Sequence, residues 1–186
     1  MALTDPVTGA IVGTATSFDR IRDSFSTRNQ FNGGQLGLRL GYEGEVLSLG
    51  LLGKVALGNM HETVKVEGST SRTFADGTTA TFPAGVLALA SNSGKAQQNQ
   101  FAVVSEVGGN VGVRLTSWLK LTTGYTFLYV SDVARPGDQV DRVINPGQVP
   151  IDGMFGAGTG PAHPRLPFQR TDFYAHGVNY GVELAF

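Results

Sequence analysis

The strongest constraint in this sequence is an alternation of bulky apolar residues with small or polar ones at every second position. In one run, for example, Val111 and Val113 alternate with Asn110, Gly112 and Arg114. Period two is typical of a β-strand with two unlike faces, whereas a helix needs apolar residues every three or four positions. The pattern recurs in five runs, at residues 35–42, 47–58, 101–115, 119–129 and 174–186. The sequence therefore predicts an all-β chain with almost no helix.

The two faces of these strands differ in a way that favours a membrane over water. The minor face of a soluble sandwich is dense in charged groups, but here it is mostly glycine and alanine with few charges. Aromatic residues lie near the run ends on the apolar face, as at a membrane interface. In lipid, every backbone N–H and C=O must pair within the protein, which a closed sheet achieves. We predict an antiparallel transmembrane β-barrel built as a meander; a soluble β-sandwich is the alternative.

The apolar face supplies the residues that we predict to contact lipid. They are Leu36, Leu38, Leu40, Leu47, Leu49, Leu51, Val103, Val111, Val113, Leu121, Tyr125, Phe127, Val178, Tyr180, Val182 and Phe186. A terminal Phe186 on a strand is also common in outer-membrane proteins. The predicted location is the outer membrane of a Gram-negative bacterium, with membrane lipid as a partner.

The opposite face supplies the residues that we predict to face the lumen. They are Arg39, Lys54, Glu106, Asn110, Arg114, Lys120, Asn179 and Glu183. In a water-filled pore these charges would set ion selectivity, and their cationic excess predicts a mild preference for anions. The alternative is that they pair across strands and close a narrow interior.

Connections of unequal length indicate which strand ends lie outside. Turns at 42–45 and 116–118 are short, whereas the segments 68–98 and 134–168 are long and the second holds most of the prolines. We therefore expect external loops at 68–98 and 134–168. Residues 1–28 are predicted to form an N-terminal loop segment, and residues 29–186 to form the barrel strands.

Five spanning strands is an odd number, but a bacterial barrel of one chain closes with an even one. Either residues 10–21 supply a sixth strand or further strands precede the sequence. We favour the second option, because the alternation at 19–23 is weak and fits a solvated loop. The chain is thus expected to supply five to six strands of a larger barrel. Residues 1–6 also lack the features of a signal peptide, as expected of a processed chain or a fragment.

Composition argues against several other classes of protein. Lys and Arg number 14 against 15 Asp and Glu, so no basic surface for nucleic acid is expected. There is no cysteine, which excludes disulfides and thiol catalysis. The best apolar run, Val46 to Leu57, is interrupted by Lys54 and falls short of the roughly 18 residues of a membrane helix.

Motifs that would carry chemistry are weak. His61, His163 and His176 are too dispersed to predict a metal site, and nothing brings His176 together with Ser131 or Ser105 as a hydrolase would require. Three aspartates, Asp132, Asp138 and Asp141, fit loop capping better than calcium binding. The glycine-rich stretch 156–161 lacks the strand-to-helix context of a phosphate loop. We expect no enzyme activity, no cofactor and no metal.

Four segments together resemble one protein family. They are Phe31-Asn32-Gly33-Gly34-Gln35-Leu36-Gly37, Gly53-Lys54-Val55-Ala56-Leu57-Gly58, Gly124-Tyr125-Thr126-Phe127-Leu128-Tyr129 and Arg135-Pro136-Gly137-Asp138-Gln139-Val140-Asp141. From Asp23 to Phe186 the chain resembles the C-terminal half of the seventh β-barrel porin family, found chiefly in planctomycete bacteria. The resemblance implies that further strands lie upstream, in a wall of about 12 strands.

Three functions follow from this reading. The first is a passive pore or wall protein of the outer membrane, completed by other barrel strands or subunits. The second is a plugged structural or adhesive barrel that acts through its external loops. The third is a soluble ligand-binding β-domain. The family label alone does not decide between them, because fold does not establish transport.

Overall fold

A computed structural model describes residues Ala2–Thr4, Ile11–Thr14 and 17–185. Its strands are β1 (Ala2–Thr4), β2 (Ile11–Thr14), β3 (Phe18–Glu43), β4 (Leu47–Thr73), β5 (Thr79–Phe82), β6 (Gly94–Arg114), β7 (Leu119–Val133) and β8 (Thr171–Leu184). Two single 3-10 turns lie at Gly137–Gln139 and Pro146–Gln148, and the described residues contain no α-helix. The prediction of an all-β chain is therefore confirmed.

Within these described ranges, no helix is long and apolar enough to cross a membrane.

Antiparallel pairing joins the long strands in the order β3-β4-β6-β7-β8, and β5 pairs with the end of β4. Apart from the short β5, each strand from β3 onward therefore pairs with the next one in sequence, as predicted for a meander. The register of β6 with β7 is unbroken from Arg114↔Lys120 to Val104↔Val130. The register of β7 with β8 is unbroken from Leu119↔Leu184 to Val130↔Phe173. Since paired residues share a face, this register places the apolar residues of neighbouring strands on one face and the polar residues on the other.

The alternation runs along the whole of β4, which has 27 residues. Even-numbered positions such as Ser48, Ala56, Met60, Val64 and Thr70 are buried, and the odd-numbered positions between them are mostly exposed. A strand of this length rises about 90 Å, at roughly 3.3 Å per residue, whereas only about 9–11 residues are needed to cross a hydrocarbon core. β4 is therefore long enough to extend well beyond a membrane.

The chain divides into two compact units. The first comprises Met1–Thr27, Thr63–Ala96 and Arg135–Gln169, and the second comprises Arg28–Glu62, Gln97–Ala134 and Arg170–Phe186. The second unit holds most of the length of the five long strands. Its large apolar side chains are mainly exposed; Leu36 is 80% exposed and Tyr180 83%.

Loop residues form the core of the first unit. Ala84, Leu89 and Val149 pack together, with the partly buried Val86, Ile144 and Ile151 around them. The fully buried Val64 and Val66 lie on the even-numbered face of β4. Thr70 of that face donates a hydrogen bond from Oγ1 to the carbonyl oxygen of Ala84 (2.6 Å). The long connections thus have a packed interior of their own.

Asp23 of β3 fixes the turn at the centre of this core. Its carboxylate accepts hydrogen bonds from the backbone N–H groups of Val86 (3.1 Å), Leu87 (3.1 Å) and Ala88 (2.7 Å). Gly85 lies so close to Asp23 that a Cβ atom there would collide with the carboxylate. A charged acceptor that serves three amides is a strong anchor for a loop that has no regular structure.

The predicted N-terminal loop at 1–28 is wrong over residues 18–28, which belong to β3. The hydropathy pattern is weak there because both faces carry polar residues, and cross-strand contacts decide the conformation instead. Arg72 of β4, for instance, donates from Nε to Asp19 Oδ1 (2.8 Å). The option that residues 10–21 supply a sixth wall strand is wrong as well, because Ile11–Thr14 pairs only with Ala2–Thr4 among the described strands.

The two long connections are more ordered than the sequence indicates. The segment 68–98 includes the end of β4, the hairpin strand β5 and the start of β6. The segment 134–168 lies wholly between β7 and β8 and contains both 3-10 turns.

We predict that Asp23→Ala loosens the 84–89 turn without unfolding the strands. Three amides lose a charged acceptor, so the free energy of opening this turn should fall by about 2 kcal/mol. Hydrogen–deuterium exchange at residues 86–88 should then be roughly 30-fold faster. Asp76→Ala is the matched control, since Asp76 accepts hydrogen bonds from the N–H and hydroxyl of Thr78 in another turn. Unchanged exchange at 86–88 in Asp23→Ala would contradict the anchoring role.

Candidate functional site

The polar face of the second unit brings together residues from all five long strands. Direct cross-strand pairs place Asn110 of β6 opposite Gly124 of β7, and Gly124 opposite Asn179 of β8. One step along the strands, Thr122 lies between Gly112 and Gly181. Large and small residues therefore alternate across the sheet as well as along it.

Ion pairs neutralise most of the charge on this face. Lys54 Nζ lies 2.9 Å from Glu106 Oε2, and Lys120 Nζ lies 2.9 Å from Glu43 Oε1. Arg114 also approaches Glu43, at 3.7 Å. Lys120 further approaches Glu183, at 3.9 Å. Three of the four cations predicted for this face are thus paired, and these partly exposed pairs fix side-chain positions more than they stabilise the fold.

Glu43 was missed as a residue of this face because the sequence placed it in a turn. Its odd number could have indicated this face, since Glu43 continues the odd-numbered series of Gly37, Arg39 and Gly41 to the end of β3. With Glu43 included, four cations face three carboxylates, and the net charge of this group is +1. The predicted cationic excess is therefore smaller than the sequence indicates.

Arg39 carries the uncompensated charge. Among the described residues its guanidinium is exposed and has no carboxylate within ion-pair distance. The side-chain amides of Asn110 and Asn179 are likewise exposed and form no hydrogen bond with any residue that the structure describes. Unpaired donors and acceptors on one open face are available to water or to a solute.

Glycines allow the polar side chains to lie flat against the sheet. A Cβ atom at Gly124 would come within 2.8 Å of Asn179 Oδ1, and one at Gly181 within 2.6 Å of Thr122 Oγ1. Asn110 lies over Gly50 in the same way. The abundance of glycine on this face is therefore explained by room for neighbouring side chains.

Two adjoining cavities open on this face. One has a volume of about 390 Å³ and is lined by Arg39, Asn110, Thr122, Thr126 and Asn179, together with glycines and leucines. The other, about 340 Å³, shares three of these residues and reaches the ion-paired end of the face at Lys120. Both cavities open to solvent, as expected of depressions in a wall.

The opposite face of the same strands is apolar and exposed. Of the sixteen residues predicted to contact lipid, thirteen are exposed, and Val103 and Phe127 are half-buried. Phe186 lies outside the described residues. Lipid contact itself remains a prediction.

A band of polar side chains borders this apolar surface on β4 and β6. Exposed apolar residues of β4 run from Leu47 to Leu57, and Asn59 and His61 follow. His61 Nδ1 lies 2.8 Å from the Asn99 side-chain oxygen, and Asn59 Nδ2 donates to the same oxygen (3.3 Å). His61 thus belongs to a network of amides.

The other candidates for chemistry do not converge in the structure. Ser131 Oγ accepts a hydrogen bond from the Val103 N–H (2.9 Å), and the His176 ring lies 5.9 Å from that of Tyr125. Among the described residues, no three His, Asp or Glu side chains are grouped to hold a metal ion. The glycine-rich loop 156–161 is held by the Asn145 amide, which donates to the carbonyl oxygens of Thr159 and Pro161.

Asp141 organises the loop between β7 and β8. Hydrogen bonds from the backbone N–H of Arg165 (2.8 Å), from that of Val143 (2.9 Å) and from the His163 ring (3.0 Å) lower the pKa of its carboxyl from 3.8 to about 2. The interpretation of this aspartate as a loop cap agrees with its contacts.

Comparison with known proteins identifies one family. The family described as Putative beta barrel porin-7 (BBP7) matches residues 3–186. No curated protein and no solved structure matches the chain significantly.

We predict that Asp141 holds its loop down to strongly acidic pH. Because the folded-state pKa is below the unfolded value, the carboxylate stabilises the loop above about pH 4, and this contribution is lost as the pH falls through about 2. Pepsin should cut the 141–165 loop of Asp141→Asn several-fold faster than that of the wild type at pH 4, and at similar rates near pH 1.5.

Asp152→Asn is the control, since Asp152 accepts a side-chain hydrogen bond from the nearby Met154 N–H (2.9 Å). Equal cleavage of wild type and Asp141→Asn at pH 4 would show that Asp141 does not restrain the loop.

Proposed function

The chain belongs to the beta barrel porin-7 family, and from this premise we propose that it forms wall strands of a passive pore in the bacterial outer membrane. The observation that carries the proposal is the opposition of two faces on the five long strands. One face exposes bulky apolar side chains and the other carries paired charges, amides and glycines. The proposal includes no catalytic step.

The apolar face has the dimensions of a membrane band. On β4 it extends over the 11 residues from Leu47 to Leu57, about 33 Å along the strand at roughly 3.3 Å per residue. A strand tilt of about 40° reduces this to roughly 25 Å, the height of the lipid-facing band of outer-membrane barrels. The amide network around His61 would then lie at the headgroup level.

The polar face is suited to line a channel. Its charges are largely paired within the wall, and its amides lie over glycines, so few side chains would project into the path of a solute. Water in such a channel would solvate the exposed Arg39, Asn110 and Asn179.

The open edges of the sheet imply further strands. In the described sheet β3 and β8 lie at the two ends and pair on one side only. An unpaired edge cannot lie in lipid, because its N–H and C=O groups would have no partners. Across five antiparallel strands β3 and β8 run in the same direction, so antiparallel closure needs an odd number of additional strands. We propose that these come from the same polypeptide or from other subunits.

The orientation of the strands follows from the connections. Short turns join β3 to β4 and β6 to β7, as in the periplasmic turns of known barrels. The segments 68–98 and 134–168 would then face outward as external loops.

A plugged barrel is the second candidate, and one observation favours it. The loop residues of the first unit pack on the even-numbered face of β4, as in the bond from Thr70 to Ala84. A loop segment with packed contacts of its own is expected of a barrel that is closed and acts through its external loops.

Conductance in planar bilayers should separate the two candidates. The complete protein, purified from membranes in detergent, is expected to give reproducible unitary steps in 1 M KCl. It should also migrate faster on gels before boiling than after. Heat-modifiable migration without any unitary step would favour the plugged barrel, and a protein that is monodisperse without detergent would contradict both.

A lysine placed on the apolar face should impair membrane insertion. Val178→Lys is expected to destabilise the inserted barrel by about 2–4 kcal/mol, because the charge would lie in lipid. Asn179→Lys is the matched control, since the adjacent residue lies on the polar face and should cost much less. Folding into lipid vesicles, followed by urea titration, gives both values. Equal effects of the two lysines would contradict lipid contact at Val178.

A further inference from the structure

We propose that Arg39, Asn110, Thr122, Thr126 and Asn179 form a binding site for small hydroxylated monoanions of the sugar-acid type. The site is the cavity of about 390 Å³ on the polar face of the second unit. It deepens the proposed function, because a solute would meet this site on its way through the channel.

Charge selects a monoanion. Arg39 is the cation of this face that has no carboxylate partner among the described residues, while Lys54, Arg114 and Lys120 face acidic side chains. A guanidinium presents a planar set of N–H donors that matches a carboxylate in two parallel hydrogen bonds. The single positive charge of Arg39 neutralises one carboxylate. A dianion would keep a second negative charge with no partner.

The neutral groups select hydroxyls. Asn110, Asn179, Thr122 and Thr126 each offer both a donor and an acceptor, as does a hydroxyl group of a solute. Chloride can only accept, so it would leave the acceptor atoms of this site unmatched. A polyhydroxylated acid can satisfy both kinds of atom and should bind better than a simple halide.

Size and shape fit a solute of six carbons. At about 390 Å³ the cavity lies within the range of roughly 300–1,000 Å³ that is typical of small-molecule sites, enough for one sugar acid with some of its water. Gly108, Gly109 and Leu52 also line it, and Asn179 lies flat over Gly124. A shallow, open site of this kind would bind weakly and release quickly, as conduction requires.

Gluconate is the probe, with glucose as its neutral counterpart. We expect gluconate to reduce the KCl conductance of the wild-type protein at millimolar concentrations and glucose to have little effect. Arg39→Gln should weaken this block about tenfold, since a hydrogen-bonded ion pair is lost, and Arg39→Lys should restore part of it. Lys65→Gln removes the same charge from the odd-numbered face of β4 and should leave the block unchanged.

Saturation-transfer NMR on the detergent-solubilised protein measures gluconate binding independently of conduction. Binding in the wild type that is lost in Arg39→Gln supports the site even if no unitary conductance is seen, in which case the pore alone is contradicted. Conductance without gluconate block, equal binding of glucose and gluconate, or an unchanged affinity in Arg39→Gln would overturn the site and leave the pore standing.

Discussion

The antiparallel backbone ladder is the constraint on which the rest of this structure depends. Each pair of hydrogen-bonded strands holds its residues in fixed register, so a side chain shares its face with the residues directly opposite. When apolar and polar residues alternate along each strand, the register therefore gathers the apolar residues of the whole sheet on one face. Two chemically different surfaces arise from one continuous set of backbone hydrogen bonds.

The two surfaces solve different packing problems. The apolar face has large side chains and few buried partners, and it requires an apolar environment to cover it. On the polar face, amides and cations lie across glycines of neighbouring strands, and Lys54, Arg114 and Lys120 pair with nearby carboxylates. Glycine weakens an isolated strand, but here it gives the neighbouring side chains room to lie against the wall.

The strands of the wall were predictable because their alternation is local and strong. The start of β3 at Phe18 was not, because its pattern is polar on both faces and its pairing with β4 involves residues such as Arg72, more than fifty positions away. The role of Asp23 in the loop core depends on a similar long-range contact. The hydropathy pattern of neighbouring residues does not indicate which distant residues a side chain will contact.

The sequence predicted which residues form the candidate site, but it did not predict which of their charges are paired. Parity alone identified Arg39, Asn110 and Asn179 as residues of one face. It did not indicate that Glu43 would neutralise Lys120, because a residue next to a turn could belong to either the turn or the strand. Which cation lacks a carboxylate partner depends on the positions of side chains from all five long strands. For that reason the cavity around Arg39 could be recognised only from the structure.

The long alternation of β4 limits which changes in length this protein can tolerate during evolution. Inserting or deleting one residue within its 27 positions would exchange the two faces for every residue beyond the change. Changes in length should therefore be tolerated inside the long strands only in steps of two, or where a bulge absorbs the extra residue. In the loop between β7 and β8, no strand pairing fixes which face a residue lies on, so the loop can gain or lose single residues.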